Sequence, residues 1–180
     1  MIKAEPWQTA EFAGPIRAFL INKPEVVVSA IRRSKRPIIV VGQKAVEPDL
    51  VNGKPIDYAI QMAEATGAQV VATAHTVGEF SKRGFLKALW LPIVDIANRL
   101  KDPEWKGLDG QGPYDLASFI GITYYLEWVI LSSLKHFAPH LKTMSLDRFH
   151  QPHATWSFPN MTVEDWERQL AIIVRQLKDK

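Results

Sequence analysis

The chain has 180 residues, 47% of them hydrophobic and 23% charged. At about 150 residues per domain this is one globular domain with an ample core, and a disordered chain is excluded. A net charge of +3 is too small and too scattered to mark a nucleic-acid binder. There is no cysteine, which removes disulfides, thiolate metal sites and any Cys nucleophile at once. No run of 18 apolar residues suggests a membrane span, and the first residues lack a signal-peptide layout, so a cytoplasmic protein is the expectation.

Residues 1–23 read as an irregular arm, with a short helix expected near Ile16 to Ile21. Residues 24–180 read as a single domain. Pro24 suits the first turn of a helix through Val27 and Ile31, which ends in the basic Arg32-Arg33. Pro37 then opens Ile38-Ile39-Val40-Val41-Gly42, a β-branched run closed by glycine, as expected of a strand buried on both faces. Asp57 to Thr66 has helical spacing and Gly67 stops it. Gln69 to Thr73 is a second strand, and Pro92 to Leu100 a helix.

Three glycines and two prolines make 102–113 a loop. Leu116 to Gly121 is a strand. Thr123 caps a helix running to about Phe137, with Leu126, Val129, Ile130 and Leu134 as its apolar stripe. Lys142 to Leu146 is a strand. Ala154 to Phe158 is an edge strand, since Pro152 and Pro159 bracket it. Thr162 caps the last helix, whose stripe is Trp166, Leu170, Ile173, Val174 and Leu177. Alternating strands and helices predict an α/β fold: a Rossmann-like, three-layer, doubly wound and mostly parallel sheet.

Such sheets bind ligands beyond the C-terminal strand ends, where the strand order reverses. The residues there are Gly42 and Gln43, Thr73 and His75, Gly121 and Thr123, and Asp147. Together they form a hypothetical flavin or nucleotide crevice: glycines for backbone approach, hydroxyls and an imidazole for a phosphate, Asp147 for a ribose hydroxyl. Taken singly, each also reads as ordinary structure. Neither G-x-G-x-x-G nor a Walker pattern is present.

The five histidines suggest no metal. Pro139 separates His136 from His140, and His150 and His153 are expected to be solvated in a loop. No nucleophile elbow is found, so no catalytic residue is assigned. Trp105 and Trp156 lie on no obvious core face and are candidate partner anchors.

Three segments carry a family resemblance: Lys35 to Gly42, the D-P-x-W-x-G-L-D-G-x-G-x-Y-D loop from Asp102 to Asp115, and Asp147 to Asn160. From residue 24 to the end, the chain resembles the epsilon subunit of the archaeal acetyl-CoA decarbonylase/synthase complex. The resemblance implies a nucleotide-binding fold of the thiamine-enzyme central-domain type. It implies a large nickel–iron–sulfur carbon monoxide dehydrogenase subunit as partner, two of each chain per assembly. It also implies a non-catalytic accessory role, stabilising that partner, or alternatively FAD binding to pass electrons from its centres. Without cysteine the chain cannot hold an iron–sulfur cluster by thiolates, so the redox centres are expected in the partner.

Overall fold

The computed structural model describes residues 8, 14–73 and 76–179. Seven strands form one sheet: β1 (Phe19–Leu20), β2 (Pro37–Val41), β3 (Gln69–Ala72), β4 (Ala88–Trp90), β5 (Leu116–Ile120), β6 (Lys142–Ser145) and β7 (Trp156–Ser157). Their order is β1-β7-β6-β5-β2-β3-β4, and every pairing is parallel. The order reverses between β2 and β5, as a doubly wound sheet requires.

Alternation along the central strands builds two cores. Ile39, Val41, Val70, Ile120 and Met144 face one way, under α1 (Pro24–Arg33), α2 (Pro55–Thr66) and α6 (Val163–Lys178). Ile38, Val40, Val71, Ala117 and Phe119 face the other, under α4 (Ile93–Lys101) and α5 (Tyr124–Phe137). Both faces are covered, so β2 and β5 have no polar alternation to show.

Local chemistry sets the element ends much as expected. Gly67 stops α2 at φ +71°, in the left-handed region that glycine enters freely. Thr162 accepts the Asp165 N–H at the start of α6. The Trp166 indole N–H donates to the Leu146 carbonyl at 2.7 Å from within the apolar stripe. Arg32 ends α1 by donating to the Gln176 and Asp179 carbonyls at the end of α6.

Four expectations need correction. Residues 16–21 hold no helix: Phe19–Leu20 is a strand, because its backbone finds partners on β7. For the same reason β7 is not an edge strand. Between Thr73 and Pro92 lie an unanticipated helix, α3 (Thr76–Lys82), and β4, which forms one edge of the sheet as β1 forms the other. Arg83, just after α3, pairs with Asp57 of α2 at 2.6 Å and with Glu79 at 2.7 Å, joining the two helices. Finally, the buried face of α5 is Glu127, Ile130, Leu131 and Leu134, whereas Leu126 and Val129 lie exposed beside Tyr125.

Candidate functional site

The site is best built from the strand ends at the reversal point. Gly42 follows β2 and Gly121 follows β5. A 3-10 helix, Gln43–Val46, folds across the gap between them. The Gly42 N–H donates to the Ile120 carbonyl at 2.9 Å and the Lys44 N–H to the Gly121 carbonyl at 2.8 Å. A Cβ on Gly42 would stand 2.3 Å from the Gly121 oxygen. One on Gly121, at φ +71°, would stand 2.3 Å from the Ala45 nitrogen. The two glycines are therefore required by each other and by the 3-10 helix. On the side where a Cβ would stand, both glycines are thus taken up by backbone packing between the strand ends and by the 3-10 helix.

The remaining predicted residues divide. Thr73 is buried, and both its N–H and its hydroxyl donate to the Val41 carbonyl, at 2.9 and 3.2 Å, tying β3 to β2. Gln43 lies exposed on the 3-10 helix. His75 lies outside the described residues. Thr123 and Asp147 do come together, across a cavity of about 540 Å³ that Lys44, Arg148 and Trp166 also line. Thr123 is the N-cap of α5. Asp147 accepts the Gly121 N–H with both carboxylate oxygens, at 2.8 and 3.0 Å, and so braces the glycine.

The sequence reading missed Glu127, which lines the same cavity and is 1% exposed. Its Oε2 accepts from Gln151 Nε2 at 3.4 Å, whereas its Oε1 is buried without a hydrogen-bond partner. Burial first, and the Asp147 charge second, hold the Glu127 carboxyl well above the usual carboxylate range. Burial pushes Asp147 up to about 6, against the pull of the Gly121 N–H. One signal existed in the sequence: a glutamate inside the apolar stripe of an otherwise hydrophobic helix.

The pair predicts a pH dependence. Both groups hold protons more tightly folded than unfolded, so the folded state loses stability as pH rises through the window between the ordinary carboxylate value of about 4 and the raised ones. We expect stability to fall progressively as pH rises from about 4 through about 6, the value to which Asp147 is raised, read by urea unfolding at each pH. Glu127→Gln should flatten that slope and exceed the wild type at pH 8 only. An unchanged slope would show that the pair does not titrate as described.

The segments of the family resemblance have a structural account. The 102–115 loop closes on Arg36 at the opposite, N-terminal end of the sheet. Asp109 pairs with Arg36 at 2.6 Å and accepts the Gln111 N–H. The Arg36 guanidinium lies over the Tyr114 ring, 5.1 Å from its centre, and the Tyr114 hydroxyl accepts the Leu108 N–H. Gly107 has φ +75°, and a Cβ there would meet the Gly112 oxygen at 2.6 Å. Asp115 accepts from the Ser34 hydroxyl and from the Lys35 and Arg36 N–H groups. Thus the first and second segments are two halves of one clasp. Trp105 is half-buried on that clasp, its ring 5.6 Å from that of Tyr114. Trp156 is also half-buried, on β7 beside a groove along α1.

The family described as CO dehydrogenase beta subunit/acetyl-CoA synthase epsilon subunit matches residues 1–174. The chain belongs to this family. It is similar to the acetyl-CoA decarbonylase/synthase complex subunit epsilon of Methanothermobacter thermautotrophicus, with 39% identity covering 92% of this chain and 91% of that one. The subunit of the same name from Methanothrix soehngenii is 34% identical, covering 96% and 91%. Epsilon 1 from Archaeoglobus fulgidus is 37% identical, covering 78% and 73%. The resemblance read from the three segments therefore holds across the chain, and the expected α/β doubly wound fold is the one found. Among the described residues no helix is long and apolar enough to cross a membrane, and no three metal-ligating side chains gather.

Proposed function

We propose that the chain is a non-catalytic accessory subunit that docks on the large nickel–iron–sulfur carbon monoxide dehydrogenase subunit and stabilises it, two of each per assembly. The observation that carries this reading is the family itself: relatives aligned over nearly the whole chain are named as subunits of a complex. The surface supports it. Trp90 is 56% exposed on the edge strand near Leu89 and Leu86, and α5 presents Tyr125 and Val129 to solvent. Exposed aromatic and aliphatic groups of this kind anchor protein contacts. The absence of cysteine leaves thiolate-held iron–sulfur clusters to the partner.

The test is co-sedimentation of the purified chain with the large subunit. A complex with two of each chain is expected. Trp105→Ala and Trp156→Ala should each weaken it by about 2 kcal/mol if those rings are anchors. Because both rings also pack on their own domain, thermal unfolding of each variant is measured alongside. No association near micromolar concentration would end this reading.

The alternative, an FAD-binding electron mediator, rests on the cavity shared by Thr123 and Asp147 rather than on the glycine crevice. There the start of α5 and Arg148 offer positive charge to a phosphate, whereas Lys44 is paired with Glu47 at 2.6 Å. Titration with FAD in the same preparations tests it. Saturable quenching of flavin fluorescence below about 100 micromolar would support it, and its absence would exclude it.

A further inference from the structure

A second cavity, of about 650 Å³, lies between the last turns of α5, the start of β6 and the strap formed by residues 14–19. His153 lines it. The expectation that this histidine is a solvated loop residue fails: it is 4% exposed, because β7 draws residues 151–155 against α5. Its ring meets that of Trp128 edge to face, 4.6 Å between centres. Neither of its ring nitrogens has a hydrogen-bond partner, and the Trp128 indole N–H is likewise buried and unpartnered. Burying such groups unpaired costs about 1–3 kcal/mol each. Both residues line this one cavity, and a ligand there that accepts hydrogen bonds would relieve that cost.

The charge around them agrees. Among the described residues, Arg17, Lys135, His136, Lys142 and His153 line the cavity and no carboxylate does. Burial, with Lys135 and His136 nearby, holds the His153 ring below the usual imidazole range. Lys135 donates to the Ile16 carbonyl and so fastens the strap over the cavity. Lys135 and His136 alone would be explained by the negative end of α5. The orphaned nitrogens of His153 and Trp128, and the cations from the strap and from β6, are not.

We propose that this cavity is a binding site for phosphate or a small phosphomonoester, with His153 and the Trp128 indole donating to its oxygens and Arg17, Lys135 and Lys142 balancing its charge. It lies apart from the Thr123–Asp147 cavity and does not depend on the accessory-subunit reading. An anion there favours imidazolium and completes the orphaned donors. The cavity exceeds the volume of a bare phosphate, leaving room for a short ester.

The test is calorimetric titration of the full chain with inorganic phosphate, and separately with glycerol 3-phosphate, at ionic strength matched with chloride. One saturable site is expected, with a Kd of about 1 millimolar or tighter. The nitrogen-15 imidazole signals of His153 should shift on binding and titrate at higher pH. His153→Phe keeps an aromatic ring without nitrogens and should weaken binding at least tenfold. Lys142→Gln, at an exposed position, should weaken it a few-fold and keeps the test decisive if the first variant unfolds. Tighter binding of the ester assigns the esterified form, and equal binding the free anion. No heat and no imidazole shift up to about 50 millimolar of either probe would overturn the proposal, as would equal binding in both variants. So would a zinc titration that shifts His153 and His136 together while phosphate shifts neither.

Discussion

Gly121→Ala is expected to destabilise the protein by about 3–5 kcal/mol, enough to lower the melting temperature by roughly 10 °C in a domain of this size. Two costs add. The residue sits at φ +71°, where an L side chain costs about 1–2 kcal/mol. Its Cβ would also stand 2.3 Å from the Ala45 nitrogen and 2.7 Å from the Ala45 Cα. Those are backbone atoms of the 3-10 helix, so no side chain can swing away to make room. Either the 3-10 helix lifts off the strand ends or Gly121 moves and drags Asp147 from its N–H. Gly67→Ala supplies the control. It has the same φ of +71° but no atom within 4 Å of a new Cβ, so it should cost only about 1 kcal/mol. The difference between the two variants in urea midpoint measures the contact alone. Equal losses would mean that the strand ends are not closed on each other as described.

This contrast bears on what the sequence could disclose. Glycine after a strand was readable at both Gly42 and Gly121, but its purpose was not. A glycine that admits a phosphate and one that admits another strand's backbone leave the same letter in the chain. The difference lies in the gap between β2 and β5, which are about eighty residues apart in sequence. By contrast, β2, β5, α1, α4 and α6 were legible because local pattern and burial agree in them. The stretch from α3 to β4 was not, since β4 has only three residues and α3 is fixed to α2 by the Asp57–Arg83 pair, a contact without periodicity. In α5 the hydrophobic residues circle the helix, so period alone could not separate the face on the sheet from the exposed one, and it hid Glu127 among the apolar neighbours. His153 was misjudged for a related reason. Two prolines and two histidines within 150–159 look like solvent-facing loop chemistry, yet the segment returns to the sheet as β7.

Glu167→Gln should cost about 3 kcal/mol, and Glu167→Ala slightly more. Glu167 lies on α6 beside Trp166, 5% exposed, and fastens the loop that leads from the 3-10 helix to α2. Its carboxylate accepts the Val51 N–H at 2.8 Å, the Asn52 N–H at 2.8 Å, the Asn52 side-chain amide at 3.2 Å and the Tyr58 hydroxyl at 2.9 Å. Every partner is a donor. A glutamine puts an NH₂ where one carboxylate oxygen accepts, so at least one donor faces another donor and stays unpaired. That is why the isosteric variant should behave almost like the truncation, against the usual expectation for so small a change. The sign of the pH dependence follows. Burial pushes the Glu167 carboxyl up, but the four donors together outweigh it and hold the group below its ordinary value, so its contribution is complete above that ordinary value and is lost as pH falls through the lowered one. Tyr58 behaves oppositely: burial and the Glu167 charge push its hydroxyl up to about 12, so the proton it donates strengthens the folded state below about pH 10 and is lost between there and 12. Tyr58→Phe removes one donor and leaves the rest satisfied, and should cost only about 1 kcal/mol. Urea unfolding of the three variants, with amide exchange at Val51 and Asn52 as the local readout, separates the outcomes. Those two amides should exchange fast in Glu167→Gln and stay protected in Tyr58→Phe. If Glu167→Gln unfolds at the wild-type midpoint with both amides still protected, the loop is held by something other than this carboxylate.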